Sequence, residues 1–98
     1  MEETKPTTQA LIIELTSAIQ KLLIVKNQRY GDAAINPKRR FSKASSEEGI
    51  LIRLDDKLNR IEESNELRVN DISDMIGYLI LLLVAKGTTQ EDIIKLID

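Results

Sequence analysis

Apolar residues recur every three or four positions over most of this chain, the spacing that gathers them on one side of an α-helix. The first such segment follows Thr7 or Thr8, either of which is a suitable N-cap, and runs to about Asn27. The second follows Ser45, which has a glutamate three residues later as in a capping box, and ends around Glu62. The pattern therefore predicts two long amphipathic helices.

The third segment is apolar on nearly every side. Asn70 or Asp71 is a suitable N-cap, and Gly87 marks the end. Its predicted core face consists of Ile72, Met75, Ile76, Leu79, Ile80, Leu83 and Val84. Leu81 and Leu82 add apolar surface elsewhere, and such a helix has to be covered on most sides. In so short a chain, self-association is the expected cover, which predicts a homo-oligomer.

A short last helix is predicted over residues 89–97, with Thr88 and Glu91 as a second capping box. The fold class is therefore all-α: a small helical bundle of three main helices plus a short C-terminal helix. A chain of 98 residues makes a single domain, here residues 1–98, with polar residues 1–6 frayed.

Between the first two helices, residues 28–45 break the helical pattern. A connection of this length inside a small domain is usually functional or mobile. From Lys26 to Lys43 there is one acid, Asp32, against six basic residues: Lys26, Arg29, Lys38, Arg39, Arg40 and Lys43. Residues 28–45 are therefore either a solvated loop whose charges balance the acidic helices or a functional loop that binds phosphate groups, and we predict the functional loop.

The amino-acid composition limits the catalytic and metal-binding groups that the chain can supply. The chain has no Cys and no His, so it lacks thiolate nucleophiles and the most common general base. A bound metal would be a hard cation held by carboxylates.

The net charge of −2 argues against nucleic acid as the main ligand. The longest unbroken apolar run, Leu79 to Ala85, is far shorter than the roughly 20 residues that span a bilayer, so we expect a cytoplasmic protein without membrane contact.

Two acidic or mixed-charge groups lie on the predicted helices. On the second helix, Asp56 and Arg60 are four residues apart and share a face, as a solvated i,i+4 pair would. At the start of the third helix, Asp71 and Asp74 are three apart. They are either first-turn acids stabilised by the helix dipole or a pair that holds a divalent ion. Asp74 lies close to the apolar face, so we expect it to pair with Lys57 or Arg60 of the preceding helix.

These residues carry a resemblance to a known family. The motifs Tyr30-Gly31-Asp32-Ala33-Ala34, Asn36-Pro37, Phe41-Ser42, Arg53 to Arg60 and Asp71 to Leu79 resemble, in order, the nucleotide modification associated domain family. This is a group of small helical proteins that are mostly phage-encoded or prophage-encoded. The resemblance implies a connection with nucleotides.

The chain is more distantly similar to the MazG-like all-α nucleoside triphosphate pyrophosphohydrolases, which bind Mg²⁺ through two paired-acid motifs on consecutive helices. Asp71-x-x-Asp74 resembles the second motif, but Arg53-x-x-Asp56 stands where the first pair of acids would lie. Replacing an acid by a cation weakens a metal site and suits direct phosphate binding. The departure therefore favours ligand capture over hydrolysis.

Three hypotheses remain at this point. The first is a non-enzymatic binder that sequesters a nucleotide-derived, cyclic or ADP-ribose-type defence signalling molecule and needs no cofactor. Its predicted ligand-binding residues are Lys26, Arg29, Tyr30, Gly31, Asn36, Lys38, Arg39, Arg40, Phe41, Lys43, Arg53, Asp56, Lys57, Arg60, Asp74 and Tyr78. The second is a reduced MazG-like hydrolase with Mg²⁺ on Asp56, Asp71 and Asp74. The third is a protein-interaction module that docks through its apolar third helix.

Overall fold

The computed structural model describes residues 4–98, so the predicted fraying of residues 1–6 falls partly outside the described residues. It contains four helices: α1 (Thr8–Arg29), α2 (Ser46–Ser64), α3 (Val69–Ala85) and α4 (Gln90–Ile94). No strand occurs among the described residues. The all-α prediction is confirmed. The chain divides into two compact units, Met1–Gly31 and Asp32–Asp98.

The first unit contains α1. The hydroxyl of Thr7 accepts a hydrogen bond from the backbone N–H of Ala10 at 3.1 Å, so Thr7 is the N-cap. None of the α1 residues is buried. The cytoplasmic location stays a prediction, because α1 is long and apolar enough to cross a membrane by length and composition alone. Polar residues interrupt α1, and a search for continuous runs therefore missed it.

In the second unit, α2 and α3 pack against each other. α2 begins at the predicted cap: the Ser45 hydroxyl accepts from the N–H of Glu48 at 3.1 Å. It continues slightly beyond the predicted end to Ser64, and its C-cap is Asn65, whose φ of 55° places it in the left-handed region. Such a conformation ends a helix, and Asn tolerates it better than most residues.

The predicted cap of α3 was wrong. The N-cap is Arg68, and Asp71 occupies the third helical position, where its carboxylate Oδ2 accepts from the backbone N–H of Arg68 at 3.2 Å. A first-turn acid can therefore satisfy the start of a helix from inside it.

The capping box of α4 begins one residue later than predicted, at Thr89 instead of Thr88, and the end of α3 explains this shift. Gly87, at φ 74°, donates to Val84 O, and Thr88 donates to Leu83 O, both at 3.0 Å, which is a Schellman ending. Thr88 is thereby bound to α3, and the neighbouring Thr89 caps α4 by accepting from the N–H of Asp92. α4 is also shorter than the predicted 89–97.

Burial in the second unit is concentrated at a few positions. Ile50 on α2 and Gly77 on α3 are buried, together with the charged residues Lys57 and Asp71. The predicted core face of α3 is not buried in the single chain, because most of its side chains are 39–54% exposed: Ile72, Ile76, Leu79, Ile80, Leu83 and Val84. Self-association remains a prediction.

Candidate functional site

One face of α2 carries four residues that line a cleft. Gly49, Ile52, Arg53 and Asp56 are spaced at i, i+3, i+4 and i+7, which stacks them along one side of a helix. The side chains therefore reach the same space without any distortion of the backbone.

The opposite side of this cleft comes from the loop between α1 and α2. Arg39, Ser42 and Ala44 complete a cavity of about 340 Å³. Ser42 also fixes the local course of the loop, since its hydroxyl accepts from the N–H of Ala44 at 3.0 Å. This volume lies at the lower end of the range for small-molecule sites.

Gly49 creates room for a cation. A Cβ built at Gly49 would collide with Nη2 of Arg39 and lie 3.5 Å from its Cζ. The guanidinium of Arg39 therefore lies directly over the helix backbone at a position where any side chain would displace it.

Charge in the cleft is dominated by two guanidinium groups. Within residues 4–98, neither Arg39 nor Arg53 has a carboxylate within 4.0 Å. Asp56 contributes the cleft's one acid among these lining residues. Planar guanidinium groups offer paired donors that match phosphate and carboxylate oxygens. The cleft can therefore accept an anion, with Asp56 and Ser42 available to accept hydrogen bonds from neutral groups.

Lys57, although adjacent to Asp56, points elsewhere. Its Nζ donates to Asp74 Oδ2 at 3.0 Å and lies 3.5 Å from Asp71 Oδ1. Lys57 is 8% exposed and Asp71 3%, so two buried residues and the partly buried Asp74 form an ion cluster between α2 and α3. The predicted pairing of Asp74 with the preceding helix is confirmed, with Lys57 as the partner. Lys57 and Asp74 thus stabilise the helix pair.

The backbone also acts on this cluster. The N–H of Arg68 hydrogen-bonds the carboxylate of Asp71 and lowers its pKa below the usual 3.8, an effect reinforced by the charge of Lys57. Asp71 is therefore held in the ionised form by groups that also fix the start of α3.

The remaining loop residues predicted to bind ligand do not line the cleft. Lys38, Arg40, Phe41 and Lys43 are all exposed, and the side chain of Phe41 is fully exposed, at 102%. Asn36 has a structural contact, since its Nδ2 donates to Asp32 Oδ2 at 2.6 Å and closes a turn.

The other predicted residues are not among those that line the cleft. Lys26, Arg29, Tyr30 and Gly31 belong to the first unit, where Lys26 and Arg29 form the last turn of α1 and Tyr30 is its C-cap. In the second unit, Arg60 is exposed on α2 and Tyr78 is half-buried on α3. Of the sixteen predicted residues, the cleft brings together Arg39, Arg53 and Asp56.

Sequence reasoning missed Gly49, Ile52 and Ala44 as lining residues, and gave Ser42 only as part of a motif. One signal was available: Gly49, Arg53 and Asp56 have the i, i+4, i+7 spacing of a single helix face, and a glycine inside a helix often has a packing reason. No comparable signal exists for Ala44, because loop geometry decides its position.

The three acids of the magnesium hypothesis are not gathered in one place. Asp56 lines the cleft, whereas Asp71 and Asp74 both contact Lys57. Across residues 4–98 no group of three or more His, Cys, Asp or Glu side chains is placed to hold one metal ion. Binding Mg²⁺ at Asp71 and Asp74 would require displacement of the lysine between them.

Comparison of the chain with models of protein families, with curated proteins and with solved structures gave no match.

Proposed function

We propose that this chain binds a phosphorylated small molecule, a nucleotide or a nucleotide-derived signal, in the cleft between Arg39 and Arg53 and does not turn it over. The observation that carries the proposal is a pair of guanidinium groups at one cavity, neither of which has a carboxylate partner within residues 4–98. Two such groups on separate elements can hold phosphate oxygens from two directions.

The other lining residues suit the rest of a nucleotide. Ile52 and Ala44 supply apolar surface for a sugar or base, and Asp56 can accept hydrogen bonds from ribose hydroxyls or base amino groups. Phe41, exposed on the same loop, is available to stack on a base when ligand binds. The resemblance to the nucleotide modification associated domain family agrees with this ligand class.

The lack of turnover follows from the chemistry present. The chain has no His or Cys, and both Asp71 and Asp74 form ion pairs with Lys57. A small binder of this kind acts by sequestration. If it is phage-encoded, as members of that family mostly are, the captured molecule would be a cyclic or ADP-ribose-type defence signal in the host cytoplasm.

Calorimetric titration of the full chain tests the proposal, with ADP-ribose, a cyclic dinucleotide, ADP and inorganic phosphate as separate probes. Arg39→Gln and Arg53→Gln should each weaken binding of the best probe about tenfold or more, because hydrogen bonds to charged groups contribute about 1.5–3 kcal/mol. Arg60→Gln is the matched control, since Arg60 is an exposed arginine on the same helix outside the cleft.

Two results would contradict the proposal. One is the absence of binding to every probe at millimolar concentration, and the other is an equal loss in the Arg60 control. Conversion of a probe to product, followed by ³¹P spectroscopy with Mg²⁺ present, would favour the hydrolase hypothesis over capture.

A further inference from the structure

The strongest unexplained feature is α1, a 22-residue helix none of whose residues is buried. Several of its large apolar residues are substantially exposed, among them Leu11 at 40%, Leu15 at 63% and Leu22 at 38%. Exposure on this scale indicates an absent partner surface.

The apolar positions of α1 contain a coiled-coil seam. Leu11, Leu15, Ala18, Leu22 and Val25 alternate in steps of four and three, which is the a and d pattern of heptads. Glu14 and Lys21 then occupy the two g positions that flank this seam, one heptad apart. Neither Glu14 nor Lys21 has an ion-pair partner within residues 4–98.

We infer that α1 pairs with α1 of a second copy of this chain as an antiparallel coiled coil, with Glu14 of each copy opposite Lys21 of the other. In antiparallel pairs, g positions face g positions, so the two copies form this charge pair twice. The same register sets Leu11 against Leu22 and the large Leu15 against the small Ala18. Side-chain volume in the seam and charge pairing beside it therefore favour the same register.

Charge also disfavours the neighbouring arrangements. Sliding one copy by a heptad in either direction sets Lys21 against Lys21 or Glu14 against Glu14 across the twofold axis. A parallel pair sets the g-position Lys21 against the e-position Lys26. Repulsion between these like charges destabilises the shifted antiparallel pairs and the parallel pair. Coiled coils commonly use such repulsion to select partner and register.

The same two residues argue against a bilayer as the occupant. Glu14 and Lys21 lie in the middle of the helix, where burial of a charged side chain in hydrocarbon is expensive. In the proposed pair they remain at the edge of the seam and keep contact with water. The hydroxyl of Thr16, which donates to Ile12 O at 2.7 Å, is already satisfied within its own helix.

Charge reversal of the full chain tests the inference by sedimentation equilibrium. Glu14→Lys and Lys21→Glu should each weaken self-association about tenfold, because each sets two like-charge pairs in place of two attractive ones. An equimolar mixture of the two variants should associate again as a heterodimer, and the double variant should recover association within about twofold. Gln20→Lys, on the side of α1 away from the seam, is the control and should match the wild type.

Cysteine crosslinking tests the direction of the pair, and the chain has no natural cysteine to interfere. Leu11→Cys mixed with Leu22→Cys should oxidise to a crosslinked heterodimer, while neither variant alone should crosslink well. Crosslinking of Leu11→Cys with itself would indicate a parallel pair and overturn the inference.

Three further outcomes would overturn it. They are a wild-type chain that stays monomeric at high micromolar concentration, a mixture of charge variants that fails to associate, and wild-type chain that co-sediments with phosphatidylcholine vesicles. The nucleotide-binding proposal is independent of all three, since the cleft lies in the other unit.

Discussion

Lys57 and Asp74 form an ion pair between α2 and α3, with Nζ 3.0 Å from Oδ2, in a setting where Lys57 is 8% exposed. Asp71, at 3.5 Å, adds a second carboxylate to the same ammonium group. One buried lysine thus compensates two acids, and in a helix pair with few buried apolar side chains this cluster fixes how the helices meet.

Removal of the lysine should therefore destabilise the second unit. We expect Lys57→Met to lower the free energy of unfolding by about 2–3 kcal/mol, because it leaves two acids without their buried counter-ion. Urea denaturation followed by circular dichroism measures this. Arg60→Met, an exposed cation on the same helix, is the control and should change the stability by less than about 0.5 kcal/mol. Equal stability of both variants would show that the cluster contributes little.

The lowered pKa of Asp71 predicts a pH dependence. Because the folded-state pKa lies below the usual 3.8, the ionised carboxylate stabilises the fold fully above that value, and the contribution disappears as pH falls through the folded-state pKa. Asp71→Asn should therefore destabilise the chain at neutral pH and flatten the loss of stability in acid. Unfolding midpoints measured from neutral pH down to about pH 2 test this. Asp55→Asn, an exposed aspartate on α2, should keep the wild-type profile.

We expect a substitution at Gly49 to change stability and the proposed ligand binding in opposite directions. Gly49→Ala should stabilise α2 by about 0.5–1 kcal/mol, since alanine is the better helix former. The new Cβ collides with the guanidinium end of Arg39, which is flexible and can move away at little cost. We expect a raised melting temperature together with weaker nucleotide binding. A variant with unchanged affinity would show that the position of Arg39 over Gly49 has no part in binding.

Gly87 ends α3 in a conformation that favours glycine. At φ 74°, a Cβ would meet no neighbouring atom but would strain the backbone, so Gly87→Ala should cost about 1 kcal/mol. Asn65→Gly, at the other left-handed helix end of this unit, should be neutral or slightly stabilising for the same reason. Thermal denaturation of both variants measures the contrast, and a stable Gly87→Ala would contradict the strain argument.

Local chemistry explains which features could be read from the sequence. The caps at Thr7 and Ser45 and the stop at Gly87 depend on contacts between residues three to five apart, so the order of residues is enough to predict them. Thr88 and Thr89 show where local sequence is not enough to predict an N-cap. Each has an acid three residues later, and only the Schellman ending of α3 decides between them.

Tertiary structure decided which residues line the cleft and which form ion pairs between helices. Asp56 and Lys57 are neighbours in sequence, but about 100° of helix rotation separates them, so Asp56 faces the cleft and Lys57 the α3 carboxylates. Whether Asp56 or Lys57 faces the cleft depends on how α2 is rotated about its axis relative to α3. The spacing of apolar residues along the sequence does not specify that rotation. The position of Arg39 over Gly49 likewise depends on the path of a loop without repeating structure. The order of residues thus predicted which segments are helical and several of their caps, while packing determined which charged side chains line the cleft and which pair with one another.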